Sequence, residues 1–204
     1  MIPPLHVVTD DRVLDRDGFL ESASRVLASG GPRLALHIRG PHTSGRRLHD
    51  LCSALRNTSR SAGALLLVND RVDVARVVAA DGVQLGARSL PAEAARELLG
   101  PESWIGVSVH DPVEAGSAES EGVDFFLLGT IFPTPSHPGR TGGGVARIRA
   151  FRERTDRRMI AIGGIAPGRV REVVAAGADG VAVMRAVWSA PDPAGAVQDF
   201  LREL

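Results

Sequence analysis

Residues 159–187, MIAIGGIAPGRVREVVAAGADGVAVMRAV, are the most informative about the fold. Two short apolar runs, 159–162 and 180–183, flank a segment whose apolar residues recur near the helical spacing of 3.6. This order of strand, helix and strand predicts two parallel strands joined by a right-handed crossover. A Gly-Gly pair follows the first predicted strand and a Met-Arg pair follows the second.

The same alternation extends outward over the whole chain of 204 residues. Helical spacing recurs in 48–56, 71–80 and 90–99. Eight strand–helix units predict one (β/α)8 barrel, a TIM barrel, as a single domain over 1–204, with a doubly wound open sheet as the alternative. The barrel is favoured because glycine or polar residues follow nearly every strand, and a barrel gathers them on one face. The predicted strands are 5–9, 33–39, 64–68, 82–85, 104–107, 124–128, 159–162 and 180–183.

Composition narrows the possible chemistry. Acidic and basic residues balance at 24 each, so no net charge draws the protein to nucleic acid. The chain contains no lysine and no tyrosine, which excludes lysine imine chemistry and leaves histidines and carboxylates for proton transfer. No apolar run is long enough to span a membrane and the first residues do not resemble a signal peptide, so a cytoplasmic location is expected. Cys52 lies in an apolar helical stretch and is expected to be a buried, inert thiol.

A phosphate site is predicted after the last two strands. Gly163 and Gly164 allow backbone N–H groups to approach an anion, and Pro167 is expected to open the next helix. Met184 and Arg185 follow the eighth strand, and in such barrels these two loops commonly bind phosphate. A small phosphorylated molecule is therefore the expected ligand.

Several blocks of the chain resemble the thiamine phosphate synthase and TenI family. The similar segments run from LHVVTDDRV at 5–13 through HIR at 37–39, LLVNDRVDVARVVAADGVQLG at 66–86 and IGVSVHDPVEA at 105–115 to LLGTIFPTP at 127–135 and AIGGIAPGRVREVVAAGADGVAVM at 161–184. The resemblance implies a barrel that binds a thiazole phosphate in thiamine biosynthesis. It also implies one of two activities: a synthase (a transferase) that joins a pyrimidine diphosphate to this thiazole with Mg²⁺, or a TenI-type tautomerase (an isomerase) that aromatises the carboxythiazole phosphate without a cofactor.

Positions that the synthase pattern reserves for charge are altered here. The family's arginine, acid and lysine after the second strand correspond to Arg39, Gly40 and Pro41, and a second magnesium carboxylate corresponds to Ser89. Ser136 and His137 stand where threonine and lysine are usual, although Arg88 or Arg140 could supply a cation. These changes indicate a reduced diphosphate site and favour the tautomerase.

The tautomerase needs a group that exchanges protons near neutral pH, and a histidine is suited to that role. By the resemblance, His110 is the expected catalytic residue. Asp70 would hold Mg²⁺ only in a synthase, and could instead cap the helix that follows it. A synthase with a modified diphosphate site is the alternative function, and a non-catalytic metabolite-binding or regulatory barrel is a further one.

Polar residues around the strand ends complete the expected substrate site. Alternation along the second strand places His37 and Arg39 on the same inward side, and Gln84 faces inward from the fourth strand. A homodimer is possible, and neither nucleic acid nor membrane is expected as a partner. The expected substrate-binding residues are Arg39, His37, Asn69, Gln84, Ser108, Thr134 and Ser136, and the expected phosphate-binding residues are Gly163, Gly164, Met184 and Arg185.

Overall fold

Eight parallel strands close into a barrel in the computed structural model, which describes residues 1–111, 122–134 and 141–204. Each strand pairs with its neighbours in sequence, and the first strand pairs with the eighth to close the sheet. The predicted (β/α)8 barrel is therefore confirmed, and the open-sheet alternative is wrong.

The strands lie within two residues of their predicted positions at each end. Short apolar runs bounded by glycine or polar residues locate such strands well because both faces of each strand are buried. The bounds are β1 Leu5–Val8, β2 Leu34–Ile38, β3 Leu65–Asn69, β4 Gly82–Leu85, β5 Trp104–Val109, β6 Phe125–Gly129, β7 Arg158–Ile162 and β8 Gly180–Val183.

Helices in the described residues connect the strands and surround the barrel. The stretch opened by Pro167 begins as a 3₁₀ turn at Pro167–Arg169 and becomes α-helical only at Val170. The helices are α1 Asp11–Leu14, α2 Phe19–Gly30, α3 Gly45–Ala62, α4 Val72–Val77, α5 Ala92–Leu99, α6 Gly144–Arg152, α7 Val170–Ala175, α8 Arg185–Trp188 and α9 Pro193–Glu203. None of these helices is long and apolar enough to cross a membrane.

Two apolar layers form the core. The larger layer lies between the strands and the helices, and includes Leu36 and Ile38 from β2. The smaller layer fills the barrel interior and includes Ala35 from β2 with Phe125 and Leu127 from β6. Alternate residues of a strand point to opposite faces, so His37 shares the inward face with Ala35. Cys52 is buried in the outer layer, and burial raises the pKa of its thiol to about 12, as expected for an inert cysteine.

Three identical arrangements of arginine, aspartate and backbone tie helices to the N-terminal end of the barrel. In each, an aspartate just before an even-numbered strand accepts hydrogen bonds from a helical arginine and from a backbone N–H at the start of the preceding strand. The aspartate N–H returns a bond to the carbonyl of that same residue. We call these arrangements the clasps: Arg56–Asp81 with Leu66, Arg96–Asp124 with Ile105, and Arg152–Asp179 with Met159.

The clasps occur before β4, β6 and β8, once in every second strand–helix unit. This repeat was not predicted from the sequence. The arginine–aspartate contacts of the clasps are 2.6 to 2.7 Å long, and the side chains are at most 31% exposed. Partly shielded contacts of this kind stabilise more than exposed ion pairs do, and the Arg56–Asp81 contact is in addition bidentate. The clasps lie at the opposite end of the strands from the predicted ligand site. Residues at that end of a barrel usually contribute to stability rather than to catalysis.

Candidate functional site

Parallel closure places the carboxyl ends of all eight strands at one end of the barrel, called here the mouth. Asn69 is the last residue of β3, His110 follows β5, and Gly163 follows β7. Met184 follows β8 directly. The predicted site residues that the structure describes thus lie on the same face. Their hydrogen bonds form three groups: one near the ends of β1 to β3, one on β4 and β5, and one after β6 to β8.

Arg39 lies at the β1–β2 corner of the mouth. The Thr9 hydroxyl accepts a hydrogen bond from the Arg39 N–H at 2.8 Å and lies 3.0 Å from the Arg39 carbonyl oxygen, which anchors the backbone there. The half-buried Arg39 side chain has no acid or carbonyl partner among the described residues. A guanidinium without an acid partner favours an anionic ligand, because its charge is otherwise uncompensated.

A buried histidine pair adjoins this corner inside the barrel. The His6 Nδ1 lies 2.7 Å from the His37 Nε2, and the His37 Nδ1 lies 3.3 Å from the Asn69 side-chain oxygen. Both imidazoles are fully buried, and burial lowers the pKa of His6 well below its usual value and that of His37 to about 4. Two uncharged imidazoles therefore occupy this position at neutral pH. His37 faces inward as predicted.

Asp70 follows Asn69 in a left-handed conformation, with φ of 63°. Its Oδ1 accepts hydrogen bonds from the Gly86 N–H and from the Ser89 hydroxyl. The predicted alternative that Asp70 caps the next helix is wrong, because Arg71 occupies the N-cap of α4 and provides no side-chain capping bond. The aspartate is exposed and turned towards the β4–α5 loop instead.

Gln84 and Ser108 form the next polar group around the barrel. The Gln84 Nε2 donates to the Ser108 hydroxyl at 3.0 Å, and Gln84 pairs with Asn69 in the β3–β4 register. Gln84 is 1% exposed, and its Oε1 has no hydrogen-bond partner in the described part of the chain. The neighbouring Gly106 makes room for it, because a Cβ there would lie 2.4 Å from this oxygen. Gln84 thus helps form an inward polar layer below the mouth.

The predicted phosphate-binding residues lie together at the β6, β7 and β8 ends. Gly163 and Gly164 have φ of 108° and 64°, which glycine adopts without strain. A Cβ on Gly164 would lie 2.6 Å from the Pro133 carbonyl oxygen, so the β7 loop packs closely on the β6 loop. The glycines therefore have a packing role that does not depend on a ligand.

The loop after β8 continues as the short helix α8, with Met184 at its N-cap. Arg185 is exposed, and its Nη2 lies 3.5 Å from the Thr134 hydroxyl of the β6 loop. This contact brings a cation and a hydroxyl beside the paired glycines. Together they offer donors of the kind that a phosphate group binds.

His110, the expected catalytic residue, is exposed at the carboxyl end of β5. It lies on the same face as Asn69 and Gly163, which is the placement that a proton-transfer role requires. Ser136, with His137 and Arg140, lies outside the described residues. No group of three or more histidine, cysteine or acidic side chains that could hold a metal occurs within the described ranges.

Comparison with known proteins gives a consistent result. The family model described as thiamine monophosphate synthase matches residues 5–187. A protein of Moorella thermoacetica named thiamine-phosphate synthase is 41% identical over 202 residues, covering 98% of this chain and 94% of that protein. A thiamine-phosphate synthase of Gloeobacter violaceus is 40% identical over 91% of this chain. That protein is longer, and the chain spans 54% of its length.

A solved structure agrees with these relatives. The thiamine phosphate pyrophosphorylase from Pyrococcus furiosus superposes with a TM-score of 0.84 at 36% identity, covering 98% of this chain and 94% of that one. The similarity therefore extends over the full barrel.

Proposed function

The chain belongs to the thiamine monophosphate synthase family, and we propose that it is a thiamine-phosphate synthase. It would join a pyrimidine diphosphate to a thiazole phosphate and release pyrophosphate. The observation that carries the proposal is the 41% identity to a thiamine-phosphate synthase along almost the full length of both proteins. The altered charged positions favoured the tautomerase, but the relatives support the synthase alternative better.

The mouth offers groups for both phosphorylated substrates. The Arg39 side chain, which has no acid partner among the described residues, suits the diphosphate. Gly163, Gly164 and the Thr134–Arg185 contact suit the thiazole phosphate on the other side of the mouth. Separate sites of this kind would hold the two rings over the polar layer of Gln84 and Ser108, so that reaction follows binding without further diffusion.

Magnesium is the cofactor that this reaction implies, and Asp70 fits it. The carboxylate is exposed, and only its Oδ1 is engaged by Gly86 and Ser89. Mg²⁺ usually keeps several waters and binds one or two carboxylates together with substrate phosphates, so one aspartate beside a diphosphate is sufficient. When bound, the ion would neutralise charge on the departing pyrophosphate.

The protein's own part in the reaction is to bind, orient and stabilise charge. As the bond between the pyrimidine-bearing carbon and the diphosphate breaks, negative charge grows on the leaving oxygen. Arg39 would stabilise this charge as a fixed donor that needs no reorganisation. The apolar interior layer below the mouth excludes water from beneath the reacting rings.

The tautomerase is the second candidate, and one observation favours it. Ser89, rather than a carboxylate, contacts Asp70, so the described part of the site presents a single acidic side chain there. His110 at the end of β5 would then transfer the proton between the ring and its exocyclic carbon. This reaction needs only the thiazole phosphate and no metal.

Two assays on one purified sample separate these functions. The first supplies pyrimidine diphosphate, thiazole phosphate and Mg²⁺ and follows thiamine phosphate. The second supplies carboxythiazole phosphate alone and follows aromatisation. If the protein is a synthase, the coupling rate should fall at least about 100-fold in Asp70→Asn. The His110→Gln variant is measured in parallel.

Aromatisation without coupling, lost in His110→Ala, would overturn the synthase proposal in favour of the tautomerase. Neither activity in a sample that still binds thiazole phosphate would support the non-catalytic alternative. The exposed His49 on α3 provides the control, because His49→Gln lies away from the strand ends and should alter neither assay.

A further inference from the structure

We propose that His6 and His37 are positioning residues that hold the Asn69 amide with its carbonyl oxygen facing the mouth. Both histidines are fully buried and neither is expected to contact substrate directly. Their role would be to determine which end of the Asn69 amide a bound substrate meets. The orientation of the amide does not depend on the proposed function. The identity of the substrate group that meets its oxygen rests on that function.

The order of donors begins at the Pro3 carbonyl. The His6 Nε2 lies 3.0 Å from this oxygen, which can only accept, so the His6 proton belongs on Nε2. A neutral imidazole has one N–H, so the His6 Nδ1 is then an acceptor. The His37 Nε2, 2.7 Å away, must therefore donate to it.

The same reasoning determines the Asn69 orientation. With its proton on Nε2, a neutral His37 has a bare Nδ1 that needs a donor. The nearest group is the Asn69 amide, at 3.3 Å. Its oxygen and nitrogen exchange places by a half-turn, and their assignment follows from the hydrogen-bond network. The amide therefore donates its NH₂ to His37, and its oxygen faces away from the pair.

Burial keeps the pair neutral, which this order requires. The opposite orientation of Asn69 would need one more proton on the two rings. That cation would lie beside Phe125, whose ring centroid is 5.4 Å from that of His6. Within the described residues, the pair's hydrogen bonds lead only to Pro3 and Asn69. Burying a charge without an acid partner is costly, and burial accordingly lowers the pKa of both imidazoles.

The side-chain oxygen of Asn69 that faces the mouth would select which substrate group binds there. Asn69 is half-buried at the end of β3, and the end of its amide away from His37 has no partner among the described residues. An oxygen there accepts a hydrogen bond and disfavours a phosphate oxygen. Asn69 would therefore recognise an N–H group of the substrate ring, while the diphosphate contacts Arg39.

The first test measures the tautomers in ligand-free protein. Nitrogen-15 NMR of labelled histidine at pH 7.5 should show His6 and His37 neutral and protonated on Nε2, with signals assigned through His6→Gln and His37→Gln. His49 serves as the comparison: its Nδ1 lies 3.1 Å from a carboxylate oxygen of Asp50, which can only accept, so its proton should lie on Nδ1. A proton on the His37 Nδ1, or a cationic ring at this pH, would overturn the proposal.

The second test reverses the donors. In Asn69→Asp the new side chain can only accept, so the pair must gain a proton, and its titration midpoint should rise by at least about one pH unit. Asn69→Leu is the matched control, which removes the donor without adding charge and should leave the midpoint no higher than in the wild type. An unchanged midpoint in Asn69→Asp would contradict the chain of donors described above.

The third test separates ring recognition from diphosphate binding. In Asn69→Ala, KM for the pyrimidine diphosphate should rise about tenfold, while affinity for inorganic pyrophosphate with Mg²⁺ stays within about twofold. A parallel loss of pyrophosphate affinity would mean that an NH₂ faces the anion, and would overturn the proposal. If the wild type does not couple the substrates, the proposed function fails, but the NMR and pyrophosphate measurements still decide the orientation.

Discussion

The Ser89 hydroxyl donates a hydrogen bond to Oδ1 of Asp70, across the mouth-side loops of β3 and β4. By the family resemblance, Ser89 stands where a second magnesium carboxylate is expected. The altered position, Ser89, is therefore hydrogen-bonded to the retained acidic position, Asp70. The hydroxyl occupies one carboxylate oxygen and leaves the other to a cation.

Restoring the carboxylate should strengthen Mg²⁺ binding. In Ser89→Asp two carboxylates would share the site, and their mutual repulsion is relieved by a divalent cation. The Mg²⁺ concentration that half-saturates coupling should fall by about threefold or more. Ser89→Asn is the control, because it has the same size without the charge. Equal Mg²⁺ dependence in both variants would show that a carboxylate at position 89 does not reach the metal.

Gly164 should be required for the shape of the phosphate loop. An added Cβ would lie 2.6 Å from the Pro133 carbonyl oxygen, and the residue has a positive φ. Gly164→Ala should cost about 1–3 kcal/mol of unfolding free energy and raise KM for the thiazole phosphate. Urea unfolding and steady-state kinetics measure the two effects.

Gly168 provides the matched control for this loop. It lies in the 3₁₀ turn four residues later, and a Cβ there would contact nothing within 4 Å. Gly168→Ala should therefore leave stability and KM nearly unchanged. Similar losses in both variants would indicate a general effect of alanine in this loop and would contradict the close-packing explanation.

Stability should fall as the solution is acidified below pH about 6.5, the usual histidine pKa in an unfolded chain. The pKa of His37 is lowered to about 4 in the folded protein, because the ring is buried. Between these values the unfolded chain binds a proton that the folded protein does not, so unfolding becomes easier as pH falls. The loss from His37 is at most about 3 kcal/mol.

Urea unfolding at pH 7 and pH 5 measures this loss. His37→Gln removes the titrating ring, so it should be less stable at pH 7 but lose less on acidification. His49→Gln removes an exposed histidine and should retain the wild-type dependence. If His37→Gln retained the full dependence, other groups would account for the acid sensitivity.

The clasps should contribute more to stability than exposed ion pairs do. Asp81→Asn removes the charge that Arg56 and the Leu66 N–H share, and should cost about 1–3 kcal/mol. Asp192→Asn removes an exposed pair with Arg25 and should cost less than about 1 kcal/mol. Both losses are measured by urea unfolding. Equal losses would show that partial burial adds nothing to the clasps.

Much of the fold was readable from sequence because its signals are local. Short apolar runs and helical spacing located all eight strands, and the glycine or polar residue after nearly every strand identified the mouth. Asn69, Asp70, Gly163 and Arg185 were placed there by topology, since parallel closure leaves only one end for residues that follow strands. The clasp aspartates were visible only as the similar segments 80–82 and 178–180.

The barrel and its mouth could be predicted from the amino-acid sequence alone, because strand order and periodicity are properties of neighbouring residues. The family was predicted separately, from segments that resemble known proteins. Three further features became known only from the folded structure: His6 pairs with His37, Ser89 donates a hydrogen bond to Asp70, and Asp70 does not cap α4. The two contacts join residues 31 and 19 positions apart. Side-chain direction and burial at such separations arise only when the barrel closes, so no local pattern encodes them.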